Sequence, residues 1–220
     1  SYSVSHDLRA PLRAIDGFSK ILQGSLEGSL SERDSDYFNR IRKAAQNMSK
    51  LIDDLLTLAR VTRADVKLAS LNLSRLATTV AERLMENQPE RDITLQIEPD
   101  IKVLADPALL QVAIENLLGN AFKFTTTQDK ALIEVGSMIK DGETVVFVRD
   151  NGVGFDMNYA DKLFIPFQRL HSASEFPGTG VGLASIKRVM SKLGGRIWAE
   201  SSVGQGATFY LQFARIGAEQ

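Results

Sequence analysis

The sequence predicts an α+β protein in two parts, a helical hairpin followed by an α/β sandwich with a mixed sheet. In the first 62 residues or so, apolar side chains recur at helical spacing. From about residue 66 onward, short alternating segments suited to strands are interleaved with helical segments, and glycines and prolines separate them. We predict a hairpin at residues 1–62, a linker at 63–68 and a second domain at 69–220.

The composition is that of an ordinary globular protein, since 44% of the 220 residues are hydrophobic and 24% are charged. A net charge of −1 argues against a nucleic-acid partner, and the absence of cysteine excludes disulfides and zinc–cysteine sites. No apolar run reaches the roughly 18 residues of a membrane helix, so we expect a cytoplasmic location and no membrane contact for this fragment, whether the full-length protein is soluble or membrane-anchored. The chain begins almost at a histidine motif, so we expect a missing upstream segment.

Both helices of the hairpin carry an apolar face. In the first, the apolar residues are Leu8, Leu12, Ile15, Phe18 and Leu22. Glycines 24 and 28 mark the turn, and Ser31 is a suitable N-cap for the second helix. There the apolar positions follow the 3.5-residue coiled-coil period, at Tyr37, Ile41, Ala44, Met48, Leu51, Leu55 and Leu58.

Two such helices cannot bury both apolar faces alone. We therefore predict a homodimer through residues 1–62, in which two hairpins form a four-helix bundle. The alternative is a hairpin that packs against its own C-terminal domain.

The second domain is predicted from local signals. Asp106 and Pro107 suit the N-cap and first position of a helix that runs to about Phe124. Asp141-Gly142 is typical of a hairpin turn. The other predicted helices cover residues 74–85 and 181–193. The predicted strands cover residues 66–69, 93–97, 132–138, 144–149, 196–201 and 207–213.

Two glycine motifs favour a phosphate-bearing ligand. Glycine lets backbone N–H groups approach phosphate oxygens, and a helix N-terminus adds partial positive charge. Asp150, directly after a predicted strand, can accept a hydrogen bond from an adenine amino group. The alternative is that these glycines only form turns. The spacing fits neither the P-loop nor the dinucleotide fingerprint. The glycines are Gly152 and Gly154 in the first motif and Gly178, Gly180 and Gly182 in the second.

A polar stripe on the predicted helix ending at Phe124 points to a metal. Asn116 and Asn120 lie four residues apart and share a face, which Lys123 continues. Carboxamide oxygens are hard ligands suited to Mg²⁺, and the lysine can neutralise a phosphate. The alternative is a solvent-exposed polar face.

Between the glycine motifs lies a segment with Phe164, Phe167 and Arg169, followed by a loop over about 170–180 that suits a lid. The alternative is two core phenylalanines and a surface arginine.

His6 is the candidate reactive residue. A single histidine on a helix is usually incidental, but Asp7 follows it directly and Pro11 comes five residues later. A neutral imidazole can attack phosphorus while a carboxylate holds the other ring N–H. Pro11 has no N–H and so leaves the carbonyl of Asp7 free.

Together these motifs resemble the catalytic core of the sensor histidine kinases of two-component signalling. The resemblance covers essentially the whole chain, and its ATP site is also similar to that of gyrase, heat-shock chaperone and mismatch-repair ATPases. It implies that ATP and Mg²⁺ are cofactors, that the γ-phosphoryl passes to His6, and that an aspartate of a response-regulator receiver domain then accepts it. Residues 5–13 and 167–171 resemble kinases linked to phytochrome or PAS sensors, which implies an upstream sensor domain.

The resemblance also implies roles for individual residues. Catalytic roles fall on His6, Asp7, Lys123 and Arg169, with Arg169 directed to the terminal phosphate, and Asn120 is the metal ligand. Cofactor contacts fall on Asn116, Asn120, Lys123, Phe124, Asp150, Gly152, Gly154, Phe164, Phe167, Gly178, Gly180, Gly182 and Leu183.

One departure from the family concerns Ala10, where many relatives have Thr or Asn. An alanine cannot orient a water by hydrogen bonding, so we expect weak phosphatase activity. Two rivals stay open. One is an ATPase of the same fold that uses nucleotide only to change shape, and the other is a non-enzymatic dimer module with a degenerate pocket.

Overall fold

The computed structural model describes residues 2–26, 28–140, 142–172 and 175–213, with only the backbone described over residues 2–7. The chain divides into two compact units, Ser1–Arg60 and Val61–Gln220. Among the described helices, none is both long enough and apolar enough to cross a membrane.

The first unit is a helical hairpin built from α1 (Tyr2–Ser25) and α2 (Glu32–Arg63). The Ser31 hydroxyl accepts a hydrogen bond from the Asp34 N–H at 3.1 Å, which is the predicted N-cap contact. Arg9 Nε lies 2.7 Å from Asp53 Oδ1 and Arg42 Nε 3.1 Å from Asp16 Oδ1. Early residues of α1 thus meet late residues of α2, as in an antiparallel pair.

Many apolar side chains of this hairpin are left uncovered. Leu12 and Ala45 are buried within the unit. Nine other apolar side chains of the two helices are each at least 43% exposed, namely Leu8, Ile15, Phe18, Ile21, Leu22, Tyr37, Ile41, Met48 and Leu55. Four of the seven residues of the coiled-coil stripe are in this group, whereas Leu51 and Leu58 of the same stripe are half-buried.

The second unit is an α/β sandwich. In chain order its elements are β1 (Ala69–Asn72), α3 (Leu73–Glu86), β2 (Ile93–Ile97), β3 (Lys102–Ala105), α4 (Pro107–Phe124), β4 (Ala131–Lys140), β5 (Glu143–Asp150), a 3₁₀ turn (Met157–Lys162), α5 (Gly182–Lys192), β6 (Arg196–Ser201) and β7 (Ala207–Gln212). The main sheet has the order β2-β4-β5-β7-β6, with β2 parallel to β4 and the other neighbours antiparallel. The predicted fold class, with its mixed sheet, is confirmed.

The core lies between the sheet and helices α3, α4 and α5. From α4, Ile114, Leu117 and Phe122 are fully buried, and they pack with Ile133 of β4 and Leu211 of β7. Asp106 caps α4 through hydrogen bonds from Ala108 and Leu109, as predicted. Burial of one face of α4 leaves its polar stripe on the other.

The predicted strand at residues 66–69 is wrong. The strand is Ala69–Asn72, because it pairs antiparallel with Lys102–Ala105 in a separate two-stranded sheet. That partner strand was not predicted, since four residues are too few to show an alternating pattern. Upstream of β1, the Lys67 N–H instead donates to Asp106 Oδ2 at 3.0 Å.

Candidate nucleotide-binding site and phosphoacceptor helix

The polar stripe of α4 faces the start of α5. Asn116 Nδ2 donates to the Val112 carbonyl at 2.8 Å, which fixes the carboxamide. Its Oδ1 then occupies the space that a Cβ on Gly182 would need. Gly182 is the first residue of α5, so the side-chain oxygen of Asn116 lies against a helix N-terminus. Asn120 lies one turn further along α4 and is half-buried.

Asp150 ends β5 and is only 6% exposed. Its carboxylate accepts the backbone N–H of Gly152 at 2.9 Å and that of Ala207. Burial raises the pKa of Asp150 from the ordinary 3.8 to about 6, although the two N–H donors oppose the shift. Burial disfavours the charge of this carboxylate, so a ligand that donates a hydrogen bond to it would stabilise it.

The turn after Asp150 is built against the C-terminal end of α4. The Val153 N–H donates to the Phe124 carbonyl at 3.2 Å. A Cβ on Gly152 would overlap that carbonyl and lie 2.8 Å from Asp150 Oδ1. Gly154 has a φ of +59°, a conformation that side chains rarely adopt. Gly152 is therefore required by the close approach of the Phe124 carbonyl, and Gly154 by its positive φ.

Two residues that the sequence analysis did not select support this turn. Asn151 Oδ1 accepts the Leu132 N–H at 2.8 Å, and its Nδ2 donates to the Lys130 carbonyl at 2.9 Å. A Cβ on Gly206 would overlap the Asp150 carbonyl. In the sequence, Gly206 is only one of the glycines between two strands, so its contact with Asp150 has no local signal.

Lys123 and Phe124 contact the loop that precedes α5. Lys123 Nζ lies 4.1 Å from the centroid of the Phe124 ring, and a Cβ on Gly178 would lie 3.4 Å from the same ammonium. The Phe124 ring packs against His171 and Phe176 at centroid distances of 5.3 and 5.1 Å. His171 and Phe176 had no predicted role, yet they form an aromatic cluster with the expected adenine neighbour.

Arg169 is engaged by its own loop. The guanidinium donates to the carbonyls of Gly178 at 2.7 Å and Ser172 at 3.2 Å, and also to that of Phe176. These bonds fix the backbone on both sides of the loop. The role of Arg169 toward a terminal phosphate stays a prediction.

The two phenylalanines of the preceding segment differ in environment. Phe164 is half-buried, with Lys187 Nζ 5.9 Å from its ring centroid. Phe167 is 55% exposed and has a φ of +67°, so it is not a core residue as the alternative interpretation required. Its N–H donates to the carbonyl of Gly180 at 3.0 Å, which ties it to the second glycine motif. Leu183, next to Gly182, packs partly buried against the core.

Contacts therefore join the three motifs of the second unit. Asn116 meets Gly182, Lys123 meets Gly178, and the Phe124 carbonyl meets Gly152 and Val153. Asp150 lies beside them, because its carboxylate accepts the Gly152 N–H. The individual ligand contacts of these residues stay predictions.

The side-chain oxygens at this site suit a magnesium ion that is coordinated mainly by the phosphates of a bound nucleotide. The described residues contain no cluster of three or more His, Cys, Asp or Glu side chains that could enclose a metal. Asn120 offers one amide oxygen, and Mg²⁺ usually combines one or two protein ligands with phosphate oxygens and waters. The residues present therefore fit Mg²⁺ that arrives with a nucleotide.

The reactive pair of the first unit lies on α1. The backbone of His6 and Asp7 is helical, and their side chains lie outside the described residues. Further along, the hairpin has a groove between its helices. Its lining is Arg9, Arg13, Ser49, Asp53, Leu56, Thr57 and Arg60, so three arginines face one aspartate there.

Comparison with known proteins agrees with both units. Residues 1–64 match the His Kinase A (phospho-acceptor) domain, and residues 105–216 match the family of histidine kinase-, DNA gyrase B-, and HSP90-like ATPases. Cyanobacterial phytochrome A of Nostoc sp. is 30% identical over 220 residues, which is 100% of this chain and 29% of the relative. The methanogenesis regulatory histidine kinase FilI of Methanothrix harundinacea is 35% identical over 206 residues, 93% of this chain and 23% of the relative.

Among solved structures, full-length ShkA in complex with AMPPNP superposes with a TM-score of 0.69 at 26% identity, covering 99% of this chain and 46% of ShkA. Of the two curated relatives, phytochrome A and FilI, the chain spans less than a third of the length. The resemblance found in the sequence, including that to phytochrome-linked kinases, is confirmed. With a phospho-acceptor domain followed by an ATP-binding domain of this type, the chain belongs to the histidine kinase family.

Proposed function

We propose that this chain phosphorylates His6 with Mg²⁺ and ATP and then passes the phosphoryl group to an aspartate of a response-regulator receiver domain. The observation that carries the proposal is the convergence of α4, the turn after Asp150 and the start of α5 around one buried acceptor. The second support is that residues 1–64 match a phospho-acceptor domain, with His6 next to Asp7 on its first helix.

Each part of the site has a task in this reaction. The Asp150 carboxylate accepts the adenine amino group, and the N-terminus of α5 with its glycines holds phosphate oxygens. Lys123 and Asn116 contact the phosphates, where the lysine neutralises charge, and Asn120 would hold the metal. When bound, Mg²⁺ offsets the negative charge of the phosphates.

His6 supplies the nucleophile. A neutral ring nitrogen attacks the γ-phosphorus, so an N–P bond forms while the P–O bond to ADP breaks and ADP leaves. Asp7 holds the proton on the other ring nitrogen and stabilises the positive charge that develops on the imidazole. Arg169 could reach the terminal phosphate only after exchanging its three carbonyl partners.

The test is labelling with γ-labelled ATP and Mg²⁺. We expect acid-labile label on the protein and its loss in His6→Gln, with nucleotide binding by that variant intact. Label that persists in His6→Gln would contradict the assignment. Release of free phosphate with no labelled protein would instead identify an ATPase.

We also propose that the active form is a dimer through residues 1–62. The support is the uncovered apolar surface, which a second copy of the hairpin would bury. Replacing both Met48 and Leu55 by glutamate should give monomers in light scattering, because unpaired charges are costly to bury. Replacing the exposed Lys43 and Lys50 by glutamate, with the same spacing, should leave the dimer intact. A monomeric wild type would contradict the proposal.

The groove between α1 and α2 suits the receiver domain. Arg9 and Arg13 lie three and seven residues after His6 along α1, and Arg60 joins them from α2. Net positive charge beside the phosphoacceptor favours a partner with an acidic surface.

A further inference from the structure

The C-terminal end of α4 is bonded by an arginine, Arg91, that lies outside the nucleotide-binding motifs. The last carbonyls of a helix have no partners within the helix and need other donors. Here the Phe122 carbonyl accepts from Arg91 Nη1 at 2.9 Å and from Thr125 Oγ1 at 3.2 Å. The Ala121 carbonyl accepts from the Thr125 N–H at 3.2 Å, and Thr125 Oγ1 lies 2.8 Å from it.

Arg91 reaches this end from the loop between α3 and β2. Its Nη2 donates to Thr125 Oγ1 at 3.0 Å, and its Nη1 also donates to Gln88 Oε1 at 2.6 Å. Burial lowers the pKa of Arg91, but a guanidinium stays protonated in proteins. The positive charge also complements the negative end of the helix dipole. The rigid, planar guanidinium of Arg91 thus bonds to both Phe122 and Thr125, which are three positions apart.

Those two residues flank Lys123 and Phe124. The pair carries the ammonium and the ring expected at the nucleotide, and the Phe124 carbonyl also anchors the turn after Asp150 through Val153. Thr125 is completely buried, so water cannot replace a lost partner of its hydroxyl. A shift of this helix end would therefore move the side chains of the site and the glycine turn together.

We infer that Arg91 is a positioning residue for nucleotide binding, which acts by fixing the backbone on both sides of Lys123 and Phe124 through the Phe122 carbonyl and Thr125. Arg91 is not itself a ligand of the nucleotide. The inference rests on the proposed role of Lys123 and Phe124 in binding.

The test measures the affinity for ADP by calorimetry, together with the melting temperature. Arg91→Met and Thr125→Val should each weaken ADP binding about tenfold, a loss comparable to that seen when a hydrogen-bond partner that orients a metal ligand is removed. Thr125→Ser, which keeps the hydroxyl, should retain most of the wild-type affinity for ADP. Arg91→Met combined with Thr125→Val should be little weaker than Arg91→Met alone, because the arginine substitution already breaks the contact between the two residues.

Arg83→Met is the matched control. Arg83 also joins α3 to α4, donating to Glu115 Oε1 at 2.8 Å, but this pair lies on the exposed surface away from the helix end. Its loss should leave ADP affinity unchanged. If Arg91→Met does not fold, Arg91→Lys and Thr125→Val decide the question.

A lower melting temperature with unchanged ADP affinity in these variants would overturn the inference, since Arg91 would then be merely structural. Failure of the proposed function is distinguishable, because it would appear in the wild type itself, either as no binding of ADP or as no label at His6. Loss of labelling at His6 alone does not affect the result.

Discussion

Asp150→Asn separates ligand binding from folding. The side chain is 6% exposed and accepts two backbone N–H groups. Asparagine keeps one acceptor oxygen and replaces the other with a donor. In the nucleotide complex, that donor would face either a backbone N–H or the adenine amino group. A buried charged hydrogen bond that loses one partner costs about 2–5 kcal/mol, which corresponds to roughly 30- to 5,000-fold in Kd.

The free protein should not suffer the same loss. Raising a carboxyl pKa by about two units means that ionisation costs about 3 kcal/mol more in the folded state than in the unfolded state. Asparagine removes that cost, while one backbone N–H loses its acceptor at about 1–3 kcal/mol. At pH 8 we expect unfolding of Asp150→Asn to require as much free energy as that of the wild type, or more.

The pH dependence follows from the same shift. Between pH 4 and pH 6 the folded wild type holds a proton on Asp150 that the unfolded chain has released, so the free energy of unfolding falls as pH rises. The variant lacks this group. The difference between variant and wild type should therefore grow by about 2 kcal/mol in favour of the variant from pH 4 to pH 7.

Both quantities are measurable on the full chain. Calorimetry gives the affinity for ATP, and urea unfolding followed by the fluorescence of Trp198, the single tryptophan, reports on the second unit. Asp156→Asn is the control, because its exposed carboxylate only caps the 3₁₀ turn. Unchanged ATP affinity in Asp150→Asn would remove Asp150 from the adenine site. A loss of both affinity and stability would mean that the variant is simply damaged.

Two further substitutions test the site and the phosphoacceptor helix. Gly182→Ala should weaken ATP binding about 10- to 100-fold in calorimetry, because the new methyl displaces Asn116 at an overpacking cost of about 1–3 kcal/mol. Gly119→Ala is its control, since a Cβ there meets open space. Equal ATP affinities of Gly182→Ala and the wild type would refute the contact. Ala10→Thr should accelerate decay of the phosphorylated regulator several-fold, measured without ADP, since a hydroxyl one turn beyond the histidine can orient a water. Ala14→Thr, a turn further along, should have no effect, and a wild type that already accelerates decay strongly would contradict the premise.

The regular elements could be predicted because their signals are local. The bounds of α4 follow from Asp106 as N-cap and Pro107 at the first position, and the alternation of residues 93–97 identifies β2. The hairpin helices follow from their apolar periods. In each case neighbouring residues in the chain determine the backbone, so no distant partner has to be known.

The sequence by itself determined the order of motifs, the fold class and the family, since these depend on residue types at short spacings. Only the tertiary structure decided which motifs touch. The pairing of β1 with β3, the contact of Asn116 with Gly182, and the bonds from Arg91 to the end of α4 each join segments about 30 or more residues apart. Arg169 could be identified by its position, but its three carbonyl partners could not. Such contacts depend on how helices and sheet pack around the core, and that packing leaves no periodic trace in the residues that make them.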